Sequence, residues 1–172
     1  TDATLQGGGL LYGGADIMLK DSKFIAGETG FMTNVSPSTV NIENCEFSGN
    51  HQAAFLRGGT YTIKNSSFTL KAELESTHSE NNHMKQWQDG NRAAFAGITI
   101  GNYLSSAYQY PTTVAMTGVT VKVEGTHASS FPAVHVCANA TEDKGVTLTY
   151  DTTCSFTSTY DPAVEYGTAN IT

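Results

Sequence analysis

The stretch Val40-Asn41-Ile42-Glu43-Asn44-Cys45-Glu46-Phe47-Ser48-Gly49-Asn50 decides the fold. Two apolar residues flank one other residue, and a further apolar residue stands five positions on. The same spacing recurs at Ile17, Leu19, Phe24, at Tyr61, Ile63, Phe68, and at Val114, Met116, Val121, with a degraded copy starting at Val146 and Leu148. A second motif follows each copy: Gly30-Phe31-Met32, Ala54-Phe55-Leu56, Ala94-Phe95-Ala96, Ala133-Val134-His135 and Ala163-Val164-Glu165. Repetition on this scale marks a solenoid.

The interval between copies sets the topology. Leu19 to Ile42 is 23 residues and Ile42 to Ile63 is 21. Hairpin folds repeat at roughly 8–12 residues, so the longer period suits stacked turns of parallel strands. Stacking at about 4.8 Å turns equivalent residues into columns. The alignment predicts an aliphatic column of Leu19, Ile42, Ile63, Met116 and Leu148. It predicts a second column of Phe24, Phe47 and Phe68, and a third of Phe31, Phe55, Phe95, Val134 and Val164. Asp21, Asn44 and Asn65, two residues beyond the aliphatic column, stand where the chain must turn. Asn and Asp tolerate left-handed geometry, and their stacked side chains hydrogen-bond along the axis.

Ile63 to Met116 spans 53 residues, more than two periods. One coil therefore carries two excursions, 71–91 and 101–112. The first is polar and holds a helix-like stretch, capped by Ser79 and stopped by Gly90, with Met84 and Trp87 on one face. The second holds Tyr103, Tyr108 and Tyr110. Loops on rigid scaffolds carry function disproportionately often, so Trp87, Tyr103, Tyr108 and Tyr110 are the candidate ligand-binding residues. Each also has a bland reading, as a plug for the coil's open side.

Composition narrows the function classes. The 172 residues carry a net charge of -7 with 15% charged residues, 39% hydrophobic residues and 17 glycines. The two arginines, Arg57 and Arg92, make no basic footprint for phosphates, which argues against nucleic acid. No apolar run approaches the roughly 20 residues that span a bilayer, and no signal-peptide pattern is visible from Thr1 on, so a secreted protein would be read here in its mature or excised form. The chain reads as one β-helix segment over 1–172, part of a longer protein, since a solenoid end needs a cap and the last residues offer none. Cys45, Cys137 and Cys154 lack metal-ligand spacing and read as small apolar residues.

Chemistry is sparse along the repeats. Asp2, Asp16, Asp21, Asp89, Asp143, Asp151 and Asp161 are scattered, and no two carboxylates adjoin in one column, as calcium binding or glycoside hydrolysis would ask. The one pair with acid–base character is His135 and Glu165, neighbours on successive coils, with Arg57 projecting nearby. An ordinary cross-strand polar pair is the simpler account of it. His78 and His83, beside Glu75 and Glu80, are too widely spaced for a helical zinc site and lack a third ligand. No metal or cofactor is expected. Asn-x-Ser/Thr sequons stand at Asn34, Asn65, Asn139 and Asn170.

The run from Val40 to Asn50 resembles the repeat of right-handed parallel β-helix proteins of the pectate-lyase-like superfamily. Phe47-Ser48-Gly49-Asn50 and Gly13-Gly14-Ala15-Asp16-Ile17 are similar to repeats of bacterial surface adhesins and autotransporter passengers, which carry such motifs many times where this chain has each about once. The resemblance implies an all-β, right-handed parallel β-helix of about five coils, living outside the cell or at its surface. It implies adhesion, to a glycan or a partner protein, or carbohydrate chemistry as a lyase or glycoside hydrolase. A structural spacer is the third class. Fold alone does not choose among them.

Overall fold

The computed structural model describes residues 9–11, 14–27, 29–33, 36–73, 84–86, 92–101, 110–137 and 145–167. The chain is all-β and repeats one order of strands. β1 (Gly9–Leu11) precedes β2 (Asp16–Lys20), β3 (Lys23–Ile25) and β4 (Thr29–Thr33). Then come β5 (Thr39–Glu43), β6 (Glu46–Gly49) and β7 (Gln52–Leu56), followed by β8 (Gly59–Lys64) and β9 (Ser67–Lys71). β10 (Met84–Gln86) and β11 (Arg92–Ala94) precede β12 (Ala96–Ile100), β13 (Thr112–Thr117) and β14 (Thr120–Glu124). The described part closes with β15 (Val134–Val136), β16 (Val146–Tyr150), β17 (Ser155–Thr157) and β18 (Val164–Tyr166).

Equivalent strands stack on one another, three apart along the chain, or five apart across β10 and β11. Sheet A has the order β1-β4-β7-β12-β15-β18, sheet B β16-β13-β8-β5-β2, and sheet C β17-β14-β9-β6-β3. The pairings inside these sheets are parallel. This is a stack of parallel strands wound as a β-solenoid. Alternating side chains from all three sheets fill one interior. Val40, Ile42, Phe47, Tyr61, Ile63, Phe68, Val114 and Val121 are all buried there.

The column reading holds well in sheets B and C. Leu19, Ile42, Ile63 and Met116 are register partners. Phe24, Phe47 and Phe68 stack with ring centroids 4.8 Å apart at each step and interplanar angles of 3° and 6°. Asp21, Asn44 and Asn65 turn with φ of 50°, 54° and 47°, and Asn44 Nδ2 donates to Asp21 Oδ1 at 3.0 Å. Gly118, with φ 63°, continues the ladder on the next turn.

Three expectations are corrected. In the last repeat Met116 pairs with Tyr150 and Val114 with Leu148, so that copy starts two residues later than expected. An extra residue in its turn then restores Phe156 to the column of Val121 and Phe68. In sheet A the inward column is Phe31, Ala54, Ile98, Val134 and Val164. Phe55 instead lies on the opposite face, level with Met32, Thr99, His135 and Glu165, and Phe95 stands before β12, stacked on His51 at 4.4 Å. A one-residue slip flips a strand's faces, and β7 and β12 are buried on both faces, so no alternation marked the register. Finally, Met84–Gln86 pair antiparallel with Arg92–Ala94 as strands, where a helix was expected. The backbone leaves sheet A at Gly101, whose φ is 77°, and re-enters sheet B at Thr112.

Candidate functional site

The outer face of sheet A carries the acid–base pair. His135 sits between inward Val134 and Val136 on β15, and Glu165 between Val164 and Tyr166 on β18. Register places the two side by side on adjacent parallel strands, about 4.8 Å apart. His135 Nδ1 lies 2.5 Å from Glu165 Oε2, and the two form a hydrogen bond. The other carboxylate oxygen, Oε1, accepts from the Tyr160 hydroxyl at 2.7 Å.

Tyr160 was not singled out in the sequence. It is fixed by its turn: its backbone N–H donates to Ser158 Oγ at 3.0 Å, and the Ser158 hydroxyl donates to the Phe131 carbonyl at 2.6 Å. Burial pushes its phenol up to about 12, helped by the bond to Glu165 and by that carboxylate's charge. Near neutral pH Tyr160 is therefore a proton donor. The only signal in the sequence was a tyrosine five residues before a carboxylate, and no periodicity reports on a turn.

Such an arrangement can orient an imidazole. A carboxylate on Nδ1 fixes the ring, and Tyr160 fixes the carboxylate. Reach is the constraint, because His135 is only 2% exposed.

Arg57 is anchored on the side of β7 away from this pair. It follows β7, and its Nε donates to the Thr33 carbonyl at 2.9 Å while its backbone N–H donates to Thr33 Oγ1 at 2.8 Å. Thr33 ends β4, on the side of β7 away from β15. The guanidinium also lies over the Phe55 ring, 4.7 Å from its centroid. Arg57 is buried there. Its contacts with Thr33 and Phe55 tie the outer face of sheet A together.

Of the aromatic candidates, Tyr110 is 48% exposed beside Pro111. Trp87, Tyr103 and Tyr108 lie outside the described residues, as do His78 and His83. Among the described residues, no three of His, Cys, Asp and Glu gather as a metal site, and no helix is long and apolar enough to cross a membrane. The outer face of sheet C forms an open groove lined by Lys23, Glu46, Ser48, Thr69, Lys71 and Glu124. Within it Lys23 pairs with Glu46 at 2.7 Å.

No protein-family model matches the chain, and no curated protein or solved structure matches it either.

Proposed function

We propose that this chain is a non-enzymatic, adhesin-like module of a secreted or cell-surface protein, which binds a glycan or protein ligand on its outer faces. Its architecture in this reading is a right-handed parallel β-helix of about five coils, of the pectate-lyase-like kind. Right-handed crossovers between parallel strands are the strong rule, and five B-to-C-to-A successions fit the sheet orders. The observation that carries the reading is a contrast in access. His135 is shut in beside a carboxylate whose two oxygens both accept hydrogen bonds, whereas the groove of sheet C is open and presents hydroxyl and charged groups beside exposed Ile25.

The test is a panel of neutral and acidic glycans, scored in parallel for binding and for turnover. Binding without new reducing ends or unsaturated products is expected, weakened by Lys71→Ala and Glu124→Ala. A lyase or glycoside hydrolase is the second reading, favoured by the Tyr160–Glu165–His135 chain of hydrogen bonds. Turnover that vanishes in His135→Ala would establish it. A spacer would show neither binding nor turnover.

A further inference from the structure

A rank of threonines stands on the outer face of sheet B, used by neither the core nor the His135 cluster. Register sets Thr39, Thr60, Thr113 and Thr147 side by side on four successive strands. Two residues along the same strands come Asn41, Thr62, Ala115 and Thr149. All eight are exposed or half-buried, and none is charged. Charge returns one rank further on with Lys20, Glu43 and Lys64, and one strand further on with Asp16, the partner of Thr39 on β2, beside exposed Met18, the partner of Asn41. Thr149 also donates weakly to the Val114 carbonyl, at 3.4 Å, and so is partly held in place.

The array is regular in register: β5, β8, β13 and β16 pair residue for residue without a bulge between them. Groups on the threonine rank recur every ~4.8 Å across the strands and about 6.6 Å along them. Identical groups at fixed intervals across four strands, and along two of them, complement a ligand that is itself periodic.

The residue types choose among such ligands. Sugar recognition draws on aromatic platforms and planar groups that make paired hydrogen bonds, and the eight positions offer no ring and one amide. Protein interfaces are anchored by aromatic residues, Met and Arg, which are also missing from these positions. Threonine presents a hydroxyl that both donates and accepts and a methyl that orders adjacent water. An uncharged lattice of hydroxyls and methyls suits crystalline water, whose oxygens repeat at comparable intervals. We propose that the outer face of sheet B binds ice, through the Thr39, Thr60, Thr113 and Thr147 rank and its neighbours Thr62 and Thr149. This stands independently of the glycan or protein ligand proposed for the groove of sheet C.

The test is thermal hysteresis and inhibition of ice recrystallisation by the full chain. A concentration-dependent gap between melting and freezing is expected, lost in Thr60→Tyr/Thr113→Tyr and in the milder single variants Thr60→Lys and Thr113→Lys. Thr157→Lys, on sheet C, keeps the full effect. Circular dichroism melts establish that each variant is folded. Hysteresis no greater than that of an inert protein at equal concentration overturns the proposal. So does activity that survives all the threonine-rank variants, or sedimentation showing that this face instead joins two copies of the chain.

Discussion

Asn44 turns the chain with φ 54° while its side chain holds Asp21, so one residue serves both the turn and the ladder. A β-branched residue forced into left-handed geometry pays roughly 1–2 kcal/mol. Asn44→Val should therefore lower stability by about that much, plus the lost side-chain bond. Asn44→Gly should fall within about 1 kcal/mol of the native protein, since it loses the bond and gains the free backbone. Denaturant titration of the two variants reads the difference; equal losses would mean that backbone strain is not what selects asparagine here. Alkaline titration probes two other residues. Burial raises the Tyr61 phenol to about 12, against its hydrogen bonds with the Thr33 hydroxyl and the Arg57 carbonyl and against the Arg57 charge, which pull it down, and Tyr160 likewise stands at about 12. A phenol whose folded pKa lies above its unfolded value favours folding fully below about pH 10, and that contribution fades as pH rises through about 12. Stability should accordingly fall across pH 10–12, and less steeply in Tyr160→Phe, as followed by denaturation midpoints at stepped pH.

At the scale of the element, the phenylalanine column shows what a repeat contributes. Phe47 stacks on Phe24 and Phe68 and touches Phe31 at 5.6 Å, so it links two sheets and three turns of the chain. Phe47→Ala should cost about 3–5 kcal/mol, measurable by thermal or chemical unfolding, with Phe24→Ala costing less because Phe24 is only half-buried. This column was legible because β3, β6 and β9 are one-sided: an exposed outer face enforces alternation that period-2 reading detects. Sheet A gave no such signal. In β7 the run Gln52-Ala53-Ala54-Phe55-Leu56 is buried throughout, and Ala-Phe looked like a motif although alanine, not phenylalanine, faces the core column. Small residues at Gly97 and Ala133 reflect close packing in the same sheet. A Cβ on Gly97 would stand 2.5 Å from both the Ala133 carbonyl and Val121 Cγ1. The His135–Glu165 pairing was legible because Val134 and Val164 keep the column of Phe31, and the slips fell only at Phe55 and Phe95.

The whole molecule is close to one-dimensional: each turn of a solenoid rests on its neighbours, and stability is nearly a sum of units and interfaces. Tyr160 and Arg57 show why the candidate site was only half legible at this scale. Partners within the repeat follow from register, but contacts made by turns between strands follow no period. The same one-dimensional logic predicts graded protection. β8 and β13 are flanked on both sides in sheet B, and Tyr61, Ile63 and Val114 are buried completely. β2 and β16 each have one neighbour among the described residues, and Ile17, Leu19, Val146 and Leu148 are half-buried. Local opening draws on the least packed units first, so native-state amide exchange should be fastest in β2 and β16 and slowest in β8 and β13. Phe47→Ala should speed exchange in β2 and β3 more than in β13 and β14, because the break falls between them and the rest. Uniform rates across β2, β8, β13 and β16, or equal acceleration on both sides of Phe47, would show that the stack opens all at once and that its turns are coupled beyond nearest neighbours.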